Sequence, residues 1–234
     1  MSSRLIEFRG LRFAWPGEST PLFDCHEFVL DRGEHIFIRG ASGSGKSTLL
    51  NLIAGVLVPQ AGNLMIMDQD TRTLGPARRD RLRADHIGYV FQQFNLVPYL
   101  SLMENVLLPC RFSQRRTEQA TSQFGSAEKA AMYLLGNLFD GETLDLDRPV
   151  SKLSVGQQQR VAAARALIGA PDIVIADEPT SSLDADARER FMTLLFDQLA
   201  GVESTLLFVS HDSSLSARFS RVVDVAEFKS EATA

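Results

Sequence analysis

The chain has only two cysteines and one tryptophan among its 234 residues. Cys25 and Cys110 lie far apart without CxxC spacing, and no further ligand follows the Cys25–His26 pair at zinc-site spacing. Neither a disulfide scaffold nor a zinc site is expected, and both thiols read as packing residues in a reducing compartment. Long apolar runs are also missing: stretches such as Ile173 to Ala176 and Leu206 to Val209 fall far short of the roughly 18 residues that a spanning helix needs, so no bilayer-crossing segment is expected. The N-terminus MSSRLIEFRG lacks the charged, apolar and small-residue regions of a secretory leader, which makes the cytoplasm the expected location. Positive charge is scarce, with 24 Lys and Arg against 29 Asp and Glu, a net charge of -5, so nucleic acid is not expected as a partner. No internal repeat, low-complexity tract or Pro/Ser-rich linker divides the chain, and only the SEATA tail is expected to fray.

What is present is 44% hydrophobic and 23% charged, the proportions of a globular protein, in a length suited to one large α/β domain or one domain with an inserted lobe. Short apolar runs alternate with helical patterns: HIFIR then KSTLLNLIAGVL; DIVIA then ADARERFMTLLFDQLA, then TLLFVS. That order predicts right-handed crossovers and parallel strands, and the uniformly apolar IVIA and LLFV predict strands covered on both faces. Toward the N-terminus LIEFRGLRFAW and PLFDCHEFVL read as antiparallel strands around a Pro16-Gly17 turn. From Gln93 to Leu153 strand patterning disappears, and SLMENVLLPC and SAEKAAMYLLGNLF carry helical spacing, which predicts an inserted helical lobe. The expected division is thus 1–92, 93–158 and 159–234.

GASGSGKS, Gly40 to Ser47, fits G-x-x-x-x-G-K-[ST] between a strand and a helix. Backbone N–H groups of such a turn converge on phosphate oxygens because Gly40, Gly43 and Gly45 carry no Cβ, and the helix start adds partial positive charge. Lys46 is expected to reach the terminal phosphates of a nucleoside triphosphate, and Ser47 to supply a hydroxyl to Mg²⁺. IVIADE ends an apolar strand in Asp177, placed to hold Mg²⁺, and Glu178, the candidate to orient or deprotonate an attacking water. KLSVGQQQR opens a second helix with Ser154 at an N-cap and Gly156 leaving backbone exposed, a further anion-ready helix start.

LSVGQQQR resembles the LSGGQ signature of the ATP-binding cassette (ABC) ATPases, and the resemblance covers essentially the whole chain. It implies a P-loop NTPase, RecA-like core with a small antiparallel β-subdomain and an inserted helical subdomain. It implies ATP and Mg²⁺ as ligands, ATP hydrolysis as the activity, and a homodimer in which one subunit's signature closes on ATP held by the other's P-loop. Nucleotide contacts carried over are Trp15, as the aromatic that stacks on adenine, with simple packing as its alternative; Gly40, Ser42, Gly43, Gly45, Lys46, Ser47 and Thr48 of the glycine turn; Ser154, Gly156 and Gln157 of the signature; and Asp184 in SSLD, resembling the D-loop. Metal contacts implied are Ser47, Gln92 and Asp177, and catalytic roles fall to Glu178, His211, Gln92 and Lys46, with Gln92 resembling the Q-loop glutamine and His211 the switch histidine. His26, His35 and His86 read as structural. Val155 departs from the signature glycine, and its side chain is expected to point away from the facing nucleotide.

The stretches RLRADHIGYVFQQFNLVPYLSLMENVLLP and RPVSKLSVGQQQRVAAARAL resemble the compact cassettes of the lipoprotein-releasing, macrolide-exporting and FtsE cell-division group, which work with permeases of the FtsX/MacB type. The chain ends soon after the switch histidine, as in that group, while RFSQRRTEQATSQFGSAEK looks more irregular than its counterparts. The implied partner is an integral membrane permease docking near Gln92 to Leu102. Leu96, Val97, Tyr99, Leu100 and Leu102 are candidates for that groove, with the lobe's own core as the alternative. The implied location is the cytoplasmic face of the inner membrane. Arg78, Arg79, Arg81 and Arg83 read as a solvated basic helix face, with a permease contact as the alternative. Three functions are open: driving export or extraction of lipoprotein, lipid, peptide or drug-like cargo; transmembrane signalling that moves no cargo; and a soluble role in iron-sulfur assembly. A DNA-repair head would need a long coiled-coil insertion and a translation factor two cassettes, and neither pattern is present.

Overall fold

A computed structural model describes residues 4–142, 144–200 and 202–229; the expected fraying of the SEATA tail lies outside them. The described residues form two compact units, 4–83 with 205–229 and those within 84–204.

In the first unit, β1 (Arg4–Phe13) pairs antiparallel with β2 (Phe23–Asp31) and, on its other edge, with β4 (Ala61–Ile66), which pairs in turn with β5 (Gln69–Asp70). The hairpin expected around Pro16-Gly17 is therefore two strands of a four-stranded sheet. β4 carries only one strongly patterned apolar turn, LMI, which is why it is hard to read as a strand in isolation. β3 (His35–Arg39) lies between β8 (Thr205–Val209) and β9 (Arg221–Asp224), parallel to both. Every residue of β8 is buried, as its uniformly apolar pattern requires. Phe8, Phe23, Phe28 and Phe228 form a ring cluster with centroids 5.0–6.5 Å apart, so the short helical turn Val225–Phe228 is held to the β-sheet by aromatic packing. α1 (Lys46–Ile53) follows the glycine turn, and α2 (Pro76–His86) is the arginine-rich helix: Arg78 and Arg81 are exposed, while Arg83 bonds the Ala54 carbonyl and Asp80.

In the second unit, β6 (Ile87–Val90) and β7 (Ile173–Asp177) pair in parallel, and five helices accompany them: α3 (Leu102–Phe112), α4 (Gln114–Phe124), α5 (Ala127–Leu138), α6 (Val155–Leu167) and α7 (Ala185–Ala200). Ser101 and Glu104 form a capping box that starts α3, and Ser113 and Ser126 cap α4 and α5. Buried Phe191, Met192, Leu195 and Leu199 give α7 one apolar stripe. Four buried alanines, Ala162, Ala163, Ala164 and Ala166, bring the backbone of α6 close to its neighbours.

Within the expected helical lobe, RFSQRRTEQATSQFG is mostly α4, which three charged or polar anchors hold in place. Ser113 Oγ donates to Asp85 at 2.5 Å, and Arg115 pairs with buried Asp172, which also bonds His86 Nδ1 at 2.7 Å. Arg116 is 2% exposed and donates to the carbonyls of Ala166, Ile168 and, more weakly, Ile87. Burial lowers its pKa to about 10, so it stays charged at neutral pH. Leu102, counted among docking residues, is 1% exposed and belongs to the lobe's own core, because the first turn of α3 faces inward; Tyr99 is 81% exposed.

Candidate nucleotide site

Gly45 precedes α1 with φ +106°, a conformation that L side chains rarely adopt, and a Cβ there would meet the Phe23 ring at 2.9 Å. A Cβ on Gly40 would stand 2.6 Å from Ser44 Oγ. Side-chain volume is thus excluded at two positions of the turn. Lys46 folds back over it, its ammonium donating to the Gly40 carbonyl at 2.8 Å and the Ala41 carbonyl at 3.2 Å. Ser47 and Thr48 follow in the first turn of α1, whose N-terminal N–H groups have no side-chain cap. No acidic residue competes for that end of the helix.

Within the same unit, β3 and β8 pair in register, Ile38 opposite Val209, so Gly40 and His211 each leave the sheet two residues past that rung. His211 is exposed there, after the bond from Ser210 N to the Ile38 carbonyl. Trp15 is 41% exposed and packs against Phe13 with the rings T-shaped, centroids 5.4 Å apart. His35 is structural, its Nδ1 accepting from Leu206 N.

The second unit holds the carboxylates and the signature serine. Asp177 ends β7 beside Tyr89, whose hydroxyl bonds it; burial, and then the Asp177 charge, push the tyrosine pKa up, so the phenol stays protonated as a donor. Glu178 adopts φ +47°, a left-handed conformation uncommon for glutamate, and its carbonyl accepts from Ser181 N. Asp184 Oδ1 accepts from Ala187 N at 2.8 Å and so starts α7. Gln92 is exposed, two residues past the end of β6. Ser154 caps α6 in a reciprocal box with Gln157, at 3.2 and 3.1 Å, while a Cβ on Gly156 would meet nothing within 4 Å. Val155, in the first turn of α6, is half exposed.

Two residues absent from the sequence reading tie these parts together. Arg165 of α6 donates to the carbonyls of Phe94 (2.6 Å) and Asn95 (2.7 Å), both at positive φ, just beyond Gln92. Buried Gln159 donates to the carbonyl of Pro179, the residue after Glu178. The helix that begins at Ser154 therefore holds both the segment after Gln92 and the turn after Glu178. All three bonds end on backbone carbonyls, which leave no mark in a sequence pattern.

The strand, glycine turn and helix of the first unit define a P-loop domain. A solved structure of the ATP-binding cassette MJ0796, titled as a dimeric post-hydrolysis state bound to ADP and Pi, superposes with TM-score 0.80 at 31% identity over 96% of both chains. Residues 24–181 match the family model described as ABC transporter. The macrolide export ATP-binding/permease protein MacB of Rhodopseudomonas palustris (strain BisB18) is 36% identical over 97% of this chain and 33% of its own length. The chain thus spans about a third of that relative. The ABC transporter ATP-binding protein YbbA of Escherichia coli (strain K12) is 42% identical over 83% of this chain and 82% of its own, and the lipoprotein-releasing system ATP-binding protein LolD of Hydrogenovibrio crunogenus 40% over 89% and 86%. The chain belongs to the ABC transporter family.

Proposed function

We propose that this chain binds and hydrolyses Mg-ATP as the cassette of a membrane transporter, two copies closing around two nucleotides to work a permease. One observation carries the reading: an ammonium, Lys46, held over a glycine-rich turn by two carbonyls that a phosphate would replace. In this reading Lys46 and the N–H groups of Gly40 to Thr48 bind the phosphates, and the exposed Trp15 stacks on the base. Asp177, Ser47 and Gln92 present hard oxygen donors suited to Mg²⁺. When bound, that ion neutralises charge on the β- and γ-phosphate oxygens. Glu178 takes the proton of the attacking water, and the left-handed backbone that aims it is supported by the Gln159–Pro179 bond. His211 donates to the γ-phosphate.

Ser154, Gly156 and Gln157, with Asp184, are assigned in this reading to the nucleotide of a second copy. The dimeric MJ0796 structure and the transport systems named for the relatives support a homodimer and a membrane partner. Among the described residues no helix is long and apolar enough to cross a membrane, so attachment to the cytoplasmic face through the partner is part of the proposal. The 93–158 lobe, with Tyr99 exposed, is where that partner docks. The test is Mg-dependent ATP hydrolysis by the purified chain, with and without its permease: turnover that needs Mg²⁺ and rises with permease is expected, and a chain that binds ATP without any turnover would refute the catalytic roles.

A further inference from the structure

Tyr99 is the most exposed large apolar side chain among the described residues, and one buried amide shapes its loop from beneath. Asn105, fully buried on α3, accepts through Oδ1 from Val97 N at 2.8 Å. Its Nδ2 donates to the carbonyls of Val97 at 3.1 Å and Ser101 at 3.0 Å. Both main-chain groups of Val97 are thereby paired, as they would be by a neighbouring strand. A buried side-chain amide is stable only where its partners are all supplied, and here Val97 N and the carbonyls of Val97, Ser101 and, more weakly, Leu100 come from the loop itself.

On its other side the same loop is bonded to residues 146–150. Leu102 N donates to the Arg148 carbonyl at 3.0 Å, Met103 N to the Leu146 carbonyl at 3.1 Å, and Val150 N to the Leu100 carbonyl at 3.2 Å, with a β-bridge between Ser101 and Pro149. The N–H groups of Leu102 and Met103 are first-turn donors of a helix, which have no partner within it; carbonyls of the 146–150 segment supply one to each. From Val150 a single helical turn, Val150–Lys152, runs into Leu153 and the α6 cap Ser154, and Arg148 Nη2 braces that turn by donating to the Lys152 carbonyl at 2.7 Å.

We infer that Asn105 is a positioning residue: with this ladder it makes the Tyr99 loop and the approach to Ser154 one bonded unit, so that a protein seated on Tyr99 moves the signature serine through main-chain hydrogen bonds. The inference rests on the proposal that a membrane partner docks on this loop. Asn105 touches no nucleotide in that scheme and acts only through the loop and the 146–150 segment. Its loss should therefore separate permease response from intrinsic turnover.

The experiment measures turnover of the chain alone and with its permease in lipid nanodiscs. Asn105→Ser is expected to keep intrinsic turnover and ATP affinity while permease stimulation falls roughly five- to tenfold, within the usual range of site-to-site coupling. Tyr99→Ala is expected to lower stimulation similarly, and the double variant to fall no further than the more severe single, as for residues on one route. Unchanged stimulation in Asn105→Ser, or fully additive losses, would overturn the inference. Should Asn105→Ser fail to fold, amide exchange of the native chain decides: added permease should slow exchange at Met103 and Val150 as well as at 97–101, and protection confined to 97–101 would overturn it. If native turnover does not respond to permease at all, the docking proposal fails. The ladder is then judged in the isolated chain, where Asn105→Ser should speed exchange at Val150 and an unchanged rate there would overturn it.

Discussion

Arg165 holds Asn95 by its carbonyl at 2.7 Å, joining the helix that Ser154 opens to the segment that follows Gln92 across 70 residues of sequence. Its other donor takes the Phe94 carbonyl. Two consecutive non-glycine residues at positive φ, 59° and 48°, are held by this one guanidinium, which burial makes less basic than usual. The bond is structural, and what it stabilises is a backbone conformation that the loop's own residues disfavour.

That relationship predicts a pattern of stabilities at position 95. Asn95→Gly should be nearly neutral, whereas Asn95→Ala should cost about 1 kcal/mol, because alanine gains nothing in the left-handed region. Arg165→Met should cost about 2–3 kcal/mol by leaving both carbonyls short of donors, and Asn95→Gly should recover part of the loss. Urea midpoints of the four variants check this; no recovery would mean that Arg165 does not act through the strained turn.

Lys46→Ala removes the ammonium that the proposal assigns to the terminal phosphates. Charge-assisted bonds to phosphate contribute about 1.5–3 kcal/mol, so ATP should bind at least roughly tenfold more weakly, read by isothermal titration. The thermal midpoint without nucleotide should change little, since the lysine's carbonyl partners belong to an open turn.

Glu178→Gln keeps the side chain's size and removes its basicity. Nucleotide affinity should be preserved while turnover falls by roughly two to four orders of magnitude, the usual share of a general base. With Mg-ATP the variant should accumulate as a closed dimer in light scattering. Near-native turnover would remove Glu178 from the role of base.

Gly169 is a stability position rather than a catalytic one. It lies at φ +69°, and a Cβ there would come within 2.5 Å of the Arg116 carbonyl oxygen. Gly169→Ala should lower stability by about 2–4 kcal/mol, combining left-handed strain with overpacking. A melting temperature within a degree or two of the native chain would contradict the placement of α4.

Cys25 gives a pH dependence. Burial raises its thiol pKa from 9.0 to about 11, so the folded chain keeps the proton that the unfolded chain releases. Stability contributed by this group is intact below pH 9 and is lost as pH climbs toward 11. Replacing Cys25 with alanine should flatten this part of the alkaline decline in urea stability. Iodoacetamide should label neither Cys25 nor Cys110, whose pKa burial also raises, in the native chain at pH 8.

The sequence reading caught strands and helices where local patterning was strong. HIFIR corresponds residue for residue to β3, and ADARERFMTLLFDQLA to α7. It missed β4, β5 and β9 because short strands of mixed polarity carry little periodicity, and β5 and β9 lie at sheet edges besides. The lobe was legible as helical, but the bounds of α4 were not, because QRRTEQATSQF has few apolar residues; that helix depends on Ser113, Arg115 and Arg116 bonding to other elements.

Sequence alone determined the glycine turn with its lysine, the acidic strand end and the serine-led helix start. Each uses consecutive residues, so its residue types and spacing are legible without any distant partner. Tertiary structure alone decided that α6 grips the carbonyls of Phe94, Asn95 and Pro179, that Arg116 closes the far end of the same helix, and that Asn105 frames the Tyr99 loop. The physical reason is that every residue carries the same backbone carbonyl, so a side chain that reaches one from another part of the chain leaves no complementary residue type for a sequence to display.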